Sequence, residues 1–192
     1  MTHHQTSTGR LTPPRSEDAT VVAGWSTSAR ETAQWCSVPR HPVGADVVTG
    51  WWTEPDVEPW LLLDSLGTPV AYGELWDDAD EDETELARVI VDPSRRRTGA
   101  GTLLVQKLLD RAHTRERAEC HVRVAPDNHG ALALYRQCTF QDVDDATAAA
   151  WNVGQPTRYR WLRFHTAPTS TPSPPEGQVD RPWATVNSSS WA

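Results

Sequence analysis

Apolar and polar positions change period several times along this chain, and each change marks an element. Residues 60–64 (WLLLD) are apolar up to Asp64, Ser65, Leu66 and Gly67 read as a turn, and residues 69–76 (PVAYGELW) read as a second strand, so the two predict a hairpin. Residues 77–83 (DDADEDE) are acidic at six of seven positions and read as a solvated loop. Residues 84–91 (TELARVIV) read as a third strand, stopped by Asp92 and Pro93. The period then lengthens: Leu104, Val105, Leu108, Leu109 and Ala112 fall on one face of a helix that starts near residues 99–102. Residues 120–125 alternate, with Val122 and Val124 on one side, and predict another strand. Asn128 reads as the N-cap of a short helix carrying Ala131, Leu132, Leu134, Tyr135 and Cys138. Residues 157–164 (TRYRWLRF) alternate and close the series as a strand.

Towards the N-terminus, SARE at 28–31 has capping-box spacing ahead of Ala33, Trp35 and Cys36, so a short helix is expected before Pro39. The stretches 39–59 and 141–151 carry no clear period. The order helix, hairpin, strand, helix, strand, helix, strand predicts a mixed α/β domain around one dominant sheet. Residues 1–17 are polar and proline-bearing and are expected to form a disordered tail. Residues 166–192 form a Pro/Ser/Thr-rich tail without a core pattern, in which Trp183 and Trp191 leave a docking motif open. The domain therefore spans 18–165.

Composition narrows the function classes. A chain of 192 residues with 38% apolar and 23% charged residues suits one globular domain with tails. A net charge of −8 argues against a general nucleic-acid binder, which needs a basic face. No apolar run reaches membrane-spanning length, and the N-terminus lacks the order of a signal peptide, so a cytoplasmic protein is expected. Three cysteines, without a CxxC pair, and seven histidines, without an HExxH, make neither a disulfide framework nor a metal site; free thiols are expected.

Against this acidic background, RRRTGAGTLL at 95–104 concentrates positive charge beside a bare backbone. A strand ends before it and a helix begins within it. The first amides of a helix lack intrahelical partners and the helix dipole adds positive potential, so such a start suits a phosphate. Glycines let the ligand approach closely, and arginines add charge-assisted bonds. A P-loop is excluded because no lysine follows the glycines, and a dinucleotide fingerprint fails because Leu104 holds the third glycine place. A surface turn with solvated arginines would also fit this segment by itself. Arg96-x-x-Gly99-x-Gly101 after a strand ending in Val-Asp-Pro resembles the acyl-CoA pyrophosphate loop of the GNAT N-acetyltransferase superfamily. NHGALALYRQCTF at 128–140 resembles that superfamily's second hallmark, an Asn-x-x-Ala-x-x-x-Tyr helix after a strand. Thr139 departs from the pattern, which commonly has glycine there; a left-handed helix end would cost a threonine roughly 1 kcal/mol.

The resemblance implies one mostly antiparallel, twisted sheet of six to seven strands, splayed at the cofactor site and flanked by about four helices. It implies acetyl-CoA as co-substrate, no metal, and a primary amine of a small molecule or peptide as acceptor, acetylated by direct attack. The other open reading is a sensor with the same fold that holds acyl-CoA without catalysis. Backbone groups of Val89, Ile90 and Val91 would pair with the pantetheine arm. Amides of Arg96, Arg97, Thr98, Gly99, Ala100, Gly101 and Thr102 would cradle the pyrophosphate, and Asn128 would touch the arm or cap its helix. Tyr135 is the candidate proton donor to the leaving thiolate. Glu85 and Glu74 compete as general base, with a water chain as the third possibility; Glu85 ranks first and shares strand parity with Ala87, Val89 and Val91. Trp51, Trp52 and Trp60 lie where acceptor walls form in this superfamily. The acidic run at 77–83 could draw a polycationic amine. Tyr159 and Trp161, on one parity of the last strand, could pair across a homodimer.

Overall fold

The computed structural model describes residues 9–78, 82–114 and 119–165. The elements run β1 (Arg10–Thr12), α1 (Asp18–Ala23), α2 (Ala29–Cys36), α3 (Ala45–Trp51), β2 (Val57–Leu63), β3 (Pro69–Asp78), β4 (Glu83–Val91), α4 (Ala100–His113), β5 (Glu119–Val124), α5 (His129–Gln137), β6 (Gln141–Asp142), α6 (Asp145–Trp151) and β7 (Arg160–His165). The seven strands of the described residues form one sheet in the order β1-β2-β3-β4-β5-β7-β6. Every neighbouring pair is antiparallel except β4 and β5. No described helix is long and apolar enough to cross a membrane.

Successive side chains of a strand face opposite ways, and here both faces are covered. That is why residues 60–63 read as an unbroken WLLL: Trp60 and Leu62 join a core under α4 and α5, whereas Leu61 and Leu63 join a second core under α1 to α3. The first core is centred on Leu75, Leu86, Leu104 and Leu108; the second on Val22, Val48, Trp51, Tyr72 and Ile90.

The helix starts follow their sequence signals. Ser28 accepts from the Glu31 amide at 3.2 Å, but the Glu31 carboxylate reaches back to Thr27 rather than to Ser28. Asn128 caps α5 by accepting from the Ala131 amide at 3.1 Å. At the other end of α5, Thr139 sits at φ 68°, and the Phe140 amide bonds back to the Tyr135 carbonyl at 3.0 Å. The chain therefore keeps the left-handed helix end and places a β-branched residue in it.

Several expectations are corrected. There are six helices among the described residues, not about four. The supposed tail at 1–17 includes β1, which pairs Arg10 with Leu63 and Thr12 with Leu61. The unassigned stretches contain α3, β6 and α6. The last strand is not at the end of the sheet: it lies between β5 and β6, with β6 pairing along Leu162 and Arg163. Trp161 is buried within its own subunit. The C-terminal tail and positions 79–81 of the acidic run fall outside the described residues.

The sheet carries one irregularity at its centre. Between the pairs Tyr72↔Ile90 and Glu74↔Ala87, Gly73 alone stands opposite Arg88 and Val89. This is a β-bulge, with Arg88 at φ 45°. Gly73 fits because a Cβ there would lie 3.0 Å from a Leu108 methyl and 3.1 Å from a Val89 methyl. Beyond the bulge β4 bends away from β5, and their ladder covers only Glu83↔Glu119, Thr84↔Cys120 and Glu85↔His121. The sheet opens there.

Candidate active site

The opening between β4 and β5 is a cleft of about 650 Å³, walled by β4, β5, α2, α5 and the start of α4. Its two ends differ chemically.

At one end the N-cap of α4 is Gly99, which takes φ 92° and gives the helix no side-chain cap. The first amides of α4 are therefore not stoppered by a side chain, and Gly99, Gly101 and Thr102 line the cleft. Gly101 is needed for packing as well: a Cβ there would lie 3.3 Å from a Leu134 methyl and 3.4 Å from a Val91 methyl. The three arginines divide their work. Arg95 turns away to pair with Asp64 at 3.0 Å. Arg96 ties the loop down, donating to the carbonyls of Val91 (3.2 Å) and Trp25 (2.9 Å) and pairing with Glu31 at 2.6 Å. Burial alone would raise the Glu31 pKa, but bonds from Thr27 and the Arg96 charge hold it below the usual carboxylate range. Arg97 is exposed, lines the cleft, and has no ion-pair partner among the described residues. A coenzyme diphosphate fits this end: bare amides, a helix N-terminus and one available guanidinium converge on it. Ala100 is buried behind that surface and Thr98 lies outside the cleft lining, donating to the Arg95 carbonyl at 2.6 Å.

At the other end Tyr135 and Glu85 both line the cleft. Tyr135 is 5% exposed and packs edge-on against Phe140, ring centroids 5.4 Å apart. Burial drives its pKa well above the ordinary tyrosine value, helped by Cys138, Glu85 and Cys120 nearby. Its hydroxyl thus stays protonated through the neutral range. Glu85 is 3% exposed, and its Oε1 accepts from Arg123 Nε at 3.1 Å. Arg123 in turn donates to Gln155 at 3.1 Å.

Glu74 does not reach the cleft. It is fully buried, takes the Tyr72 hydroxyl on one oxygen, and holds the Trp76 indole (2.6 Å) and Arg88 (3.0 Å) on the other. It anchors the bulge arginine from behind. The parity expected of Glu85 is also corrected: the bulge adds a residue, so Glu85 and Ala87 lie on the face opposite Val89 and Val91, which pack towards α4. Of the expected backbone partners, the Val91 carbonyl already accepts from Arg96. Trp51 and Trp60 are core residues and Trp52 bonds to Tyr72 at 2.8 Å; none lines the cleft.

The aromatic wall is instead Trp35, Trp76 and Tyr159. Trp35 donates its indole N–H to the Arg88 carbonyl at 2.7 Å, which pins α2 to the bulge. Tyr159 shares a 2.9 Å hydrogen bond with Ser37. Cys36 lines the same wall, its thiol pKa pushed up to about 11 by burial. Sequence reasoning missed this layer. The signal available was the pair of charges inside apolar strands, Arg88 in TELARVIV and Arg123 in CHVRV. Among the described residues no group of three or more His, Cys, Asp or Glu could hold a metal.

A twisted sheet split at a bulge, with a glycine-led helix start on one side and a capped Asn–Tyr helix on the other, defines a class. The acetyltransferase (GNAT) family profile matches residues 25–140, more than half of the chain, and the chain belongs to that family. A mycothiol acetyltransferase from Clavibacter michiganensis is 32% identical over 108 residues, covering 54% of this chain and 35% of that relative. The chain thus matches about a third of that relative's length. Among solved structures, a spermidine N-acetyltransferase from Vibrio cholerae, in complex with CoA and spermine, aligns with a TM-score of 0.62 at 15% identity, covering 81% of this chain and 92% of the other. A PaiA N-acetyltransferase from Thermoplasma acidophilum, in complex with coenzyme A, aligns with a TM-score of 0.58 at 12% identity, covering 83% and 99%. These two similarities establish the shared fold.

Proposed function

We propose that this chain transfers an acetyl group from acetyl-CoA to a primary amine by direct attack. The observation that carries the reading is the two-ended cleft: an uncapped, glycine-led helix start at one end, and a protonated phenol and a carboxylate at the other. Membership of the acetyltransferase family supports acetyl transfer, and the CoA-bound neighbours support the coenzyme. The neighbour named as a spermidine N-acetyltransferase supports an amine as acceptor.

The amides of Gly99, Gly101 and Thr102, with Arg97, would hold the diphosphate, and Asn128 at the cap of α5 would border the arm. Acetyl-CoA supplies the activated acyl group. Glu85 serves as base, accepting a proton from the ammonium so that the neutral amine can attack. Arg123 keeps the Glu85 carboxylate turned into the cleft. Backbone N–H groups of β4 beyond the bulge steady the negative charge that develops on the carbonyl oxygen. Tyr135, kept protonated by burial, gives its proton to the departing thiolate and regains one from the attacking nitrogen, which sheds it as the amide forms. The domain doing this work is 18–165, joined by β1.

Calorimetric titration with CoA, followed by thiol-release measurements with acetyl-CoA and an amine panel, tests the reading. Coenzyme binding with amine-dependent thiol release is expected. Binding without release from any amine would replace the enzyme with a coenzyme-holding sensor. Absence of binding would remove both.

A further inference from the structure

The acceptor end of the cleft carries its own cations. Glu31 and Glu85 are the carboxylates that line the described cleft, and each already faces a guanidinium, Arg96 at 2.6 Å and Arg123 at 3.1 Å. Four arginines line the same walls: Arg88, Arg96, Arg97 and Arg123. Arg96 and Arg97 belong to the diphosphate end, which leaves Arg88 and Arg123 beside the acceptor. The carboxylate behind Arg88, Glu74, is sealed in at zero exposure and cannot meet a ligand.

Aromatic faces are the other common receptor for an ammonium group, and two of the three rings of the acceptor wall are engaged as well. The Trp76 ring has the Arg88 guanidinium 4.8 Å and the Arg123 guanidinium 5.2 Å from its centroid. Arg123 also lies 5.6 Å from the Tyr159 ring centre. The carboxylates of the cleft and the rings of Trp76 and Tyr159 are thus already serving protein arginines. A ligand cation reaching those groups would have to displace an arginine or sit beside it, and like charges brought together repel.

Resting on the acetyl-transfer reading for the location of the acceptor, we propose that this end of the cleft selects monoamines: a single primary amine on an uncharged or carboxylate-bearing body. Polyamines are rejected. The reacting amine loses its charge at Glu85 before attack, so one ammonium is tolerated where two are not. A carboxylate or amide on the acceptor would meet Arg123, which is a donor only. The acidic run at 77–83 therefore does not dictate a polycationic substrate; within its described part, Asp77 accepts from Thr84 at 3.3 Å.

The test compares amines matched in chain length and differing only at the far end: a diamine, a monoamine ending in a carboxamide, and one ending in a carboxylate, with spermidine as a fourth arm. Binding to the full chain saturated with CoA is measured by calorimetry, and thiol release from acetyl-CoA is measured separately. Both monoamines should bind at least about tenfold more tightly than the diamine or spermidine, the scale of one unrelieved like-charge contact in a partly hydrated site. Arg123→Gln should narrow that ratio severalfold, whereas Arg123→Lys, which keeps the charge, should preserve most of it. Diamine or spermidine binding as tightly as the monoamines overturns the inference, and so does binding of none of the four. The expected order of binding without thiol release would instead count against acetyl transfer while leaving the selectivity intact.

Discussion

Replacing Tyr135 with phenylalanine separates chemistry from architecture at this site. The ring is 5% exposed and packs against Phe140, and phenylalanine keeps that burial and shape. Only the hydroxyl is lost. Among the described residues that hydroxyl has no hydrogen-bond partner, so no buried group is orphaned, and stability should change by less than about 1 kcal/mol. The coenzyme end is formed by α4 and its loop, so the CoA dissociation constant should stay within about twofold. The effect should fall on turnover. A positioned proton donor contributes about 10²- to 10⁴-fold, so kcat should drop at least about a hundredfold, or roughly 2.7 kcal/mol of barrier. Steady-state thiol release, with calorimetry on the same preparations, reads both quantities. The raised tyrosine pKa adds a signature: in the wild type no alkaline loss of activity from this group should appear below about pH 10. A variant that retains a third or more of the wild-type kcat would refute Tyr135 as the donor.

The geometry fixes four further outcomes. Glu74→Gln leaves the buried Arg88 with the more distant Glu54 carboxylate, 3.7 Å away, so urea denaturation should show a loss of about 3 kcal/mol while CoA affinity stays near wild type. Arg97→Gln should weaken CoA binding about fivefold, less so in high salt, without moving Tm. Arg96→Gln should lower Tm instead, because Arg96 ties Val91, Trp25 and Glu31 together. Tyr72 and Tyr135 both have pKa values raised by burial, Tyr72 with the Glu74 charge adding to it. Above the unfolded value near 10 the native state holds protons that the unfolded state releases, so their contribution to stability is complete below about pH 10 and is lost as pH rises beyond it. Denaturation midpoints between pH 8 and 11 would check this, and an unchanged midpoint would contradict it.

The division of labour among arginines 95, 96 and 97 illustrates how far local pattern carries. Their adjacency to Gly99 and Gly101 marks an anion site, because a helix start and bare backbone are local features. Which arginine is available is not local. Arg95 is taken by Asp64 and Arg96 by partners on α2 and the turn before it, residues far away in sequence. Glu85 and Glu74 make the same point. Both are strand acids in apolar surroundings, yet one faces the cleft and the other is locked beneath the bulge. Strand parity misplaced Glu85 relative to Val89 and Val91 because it assumes an unbroken period of two, and the bulge at Arg88 shifts that period by one residue.

The sequence by itself determined the central hairpin, strands β4, β5 and β7, helices α2, α4 and α5, and their punctuation. The hairpin turn after Leu63, the Ser28 and Asn128 caps, the glycine-led start of α4 and the Tyr135 helix all depend on interactions within a few residues, which composition and spacing encode directly. The tertiary structure alone decided where the sheet opens, which carboxylate enters the opening, and which rings and arginines line it. Those outcomes depend on Gly73 meeting Leu108 and Val89 at the bulge and on α2 being pinned across it by Trp35. Contacts between distant segments leave no period in a single chain, so the acceptor wall becomes visible only when the chain is folded.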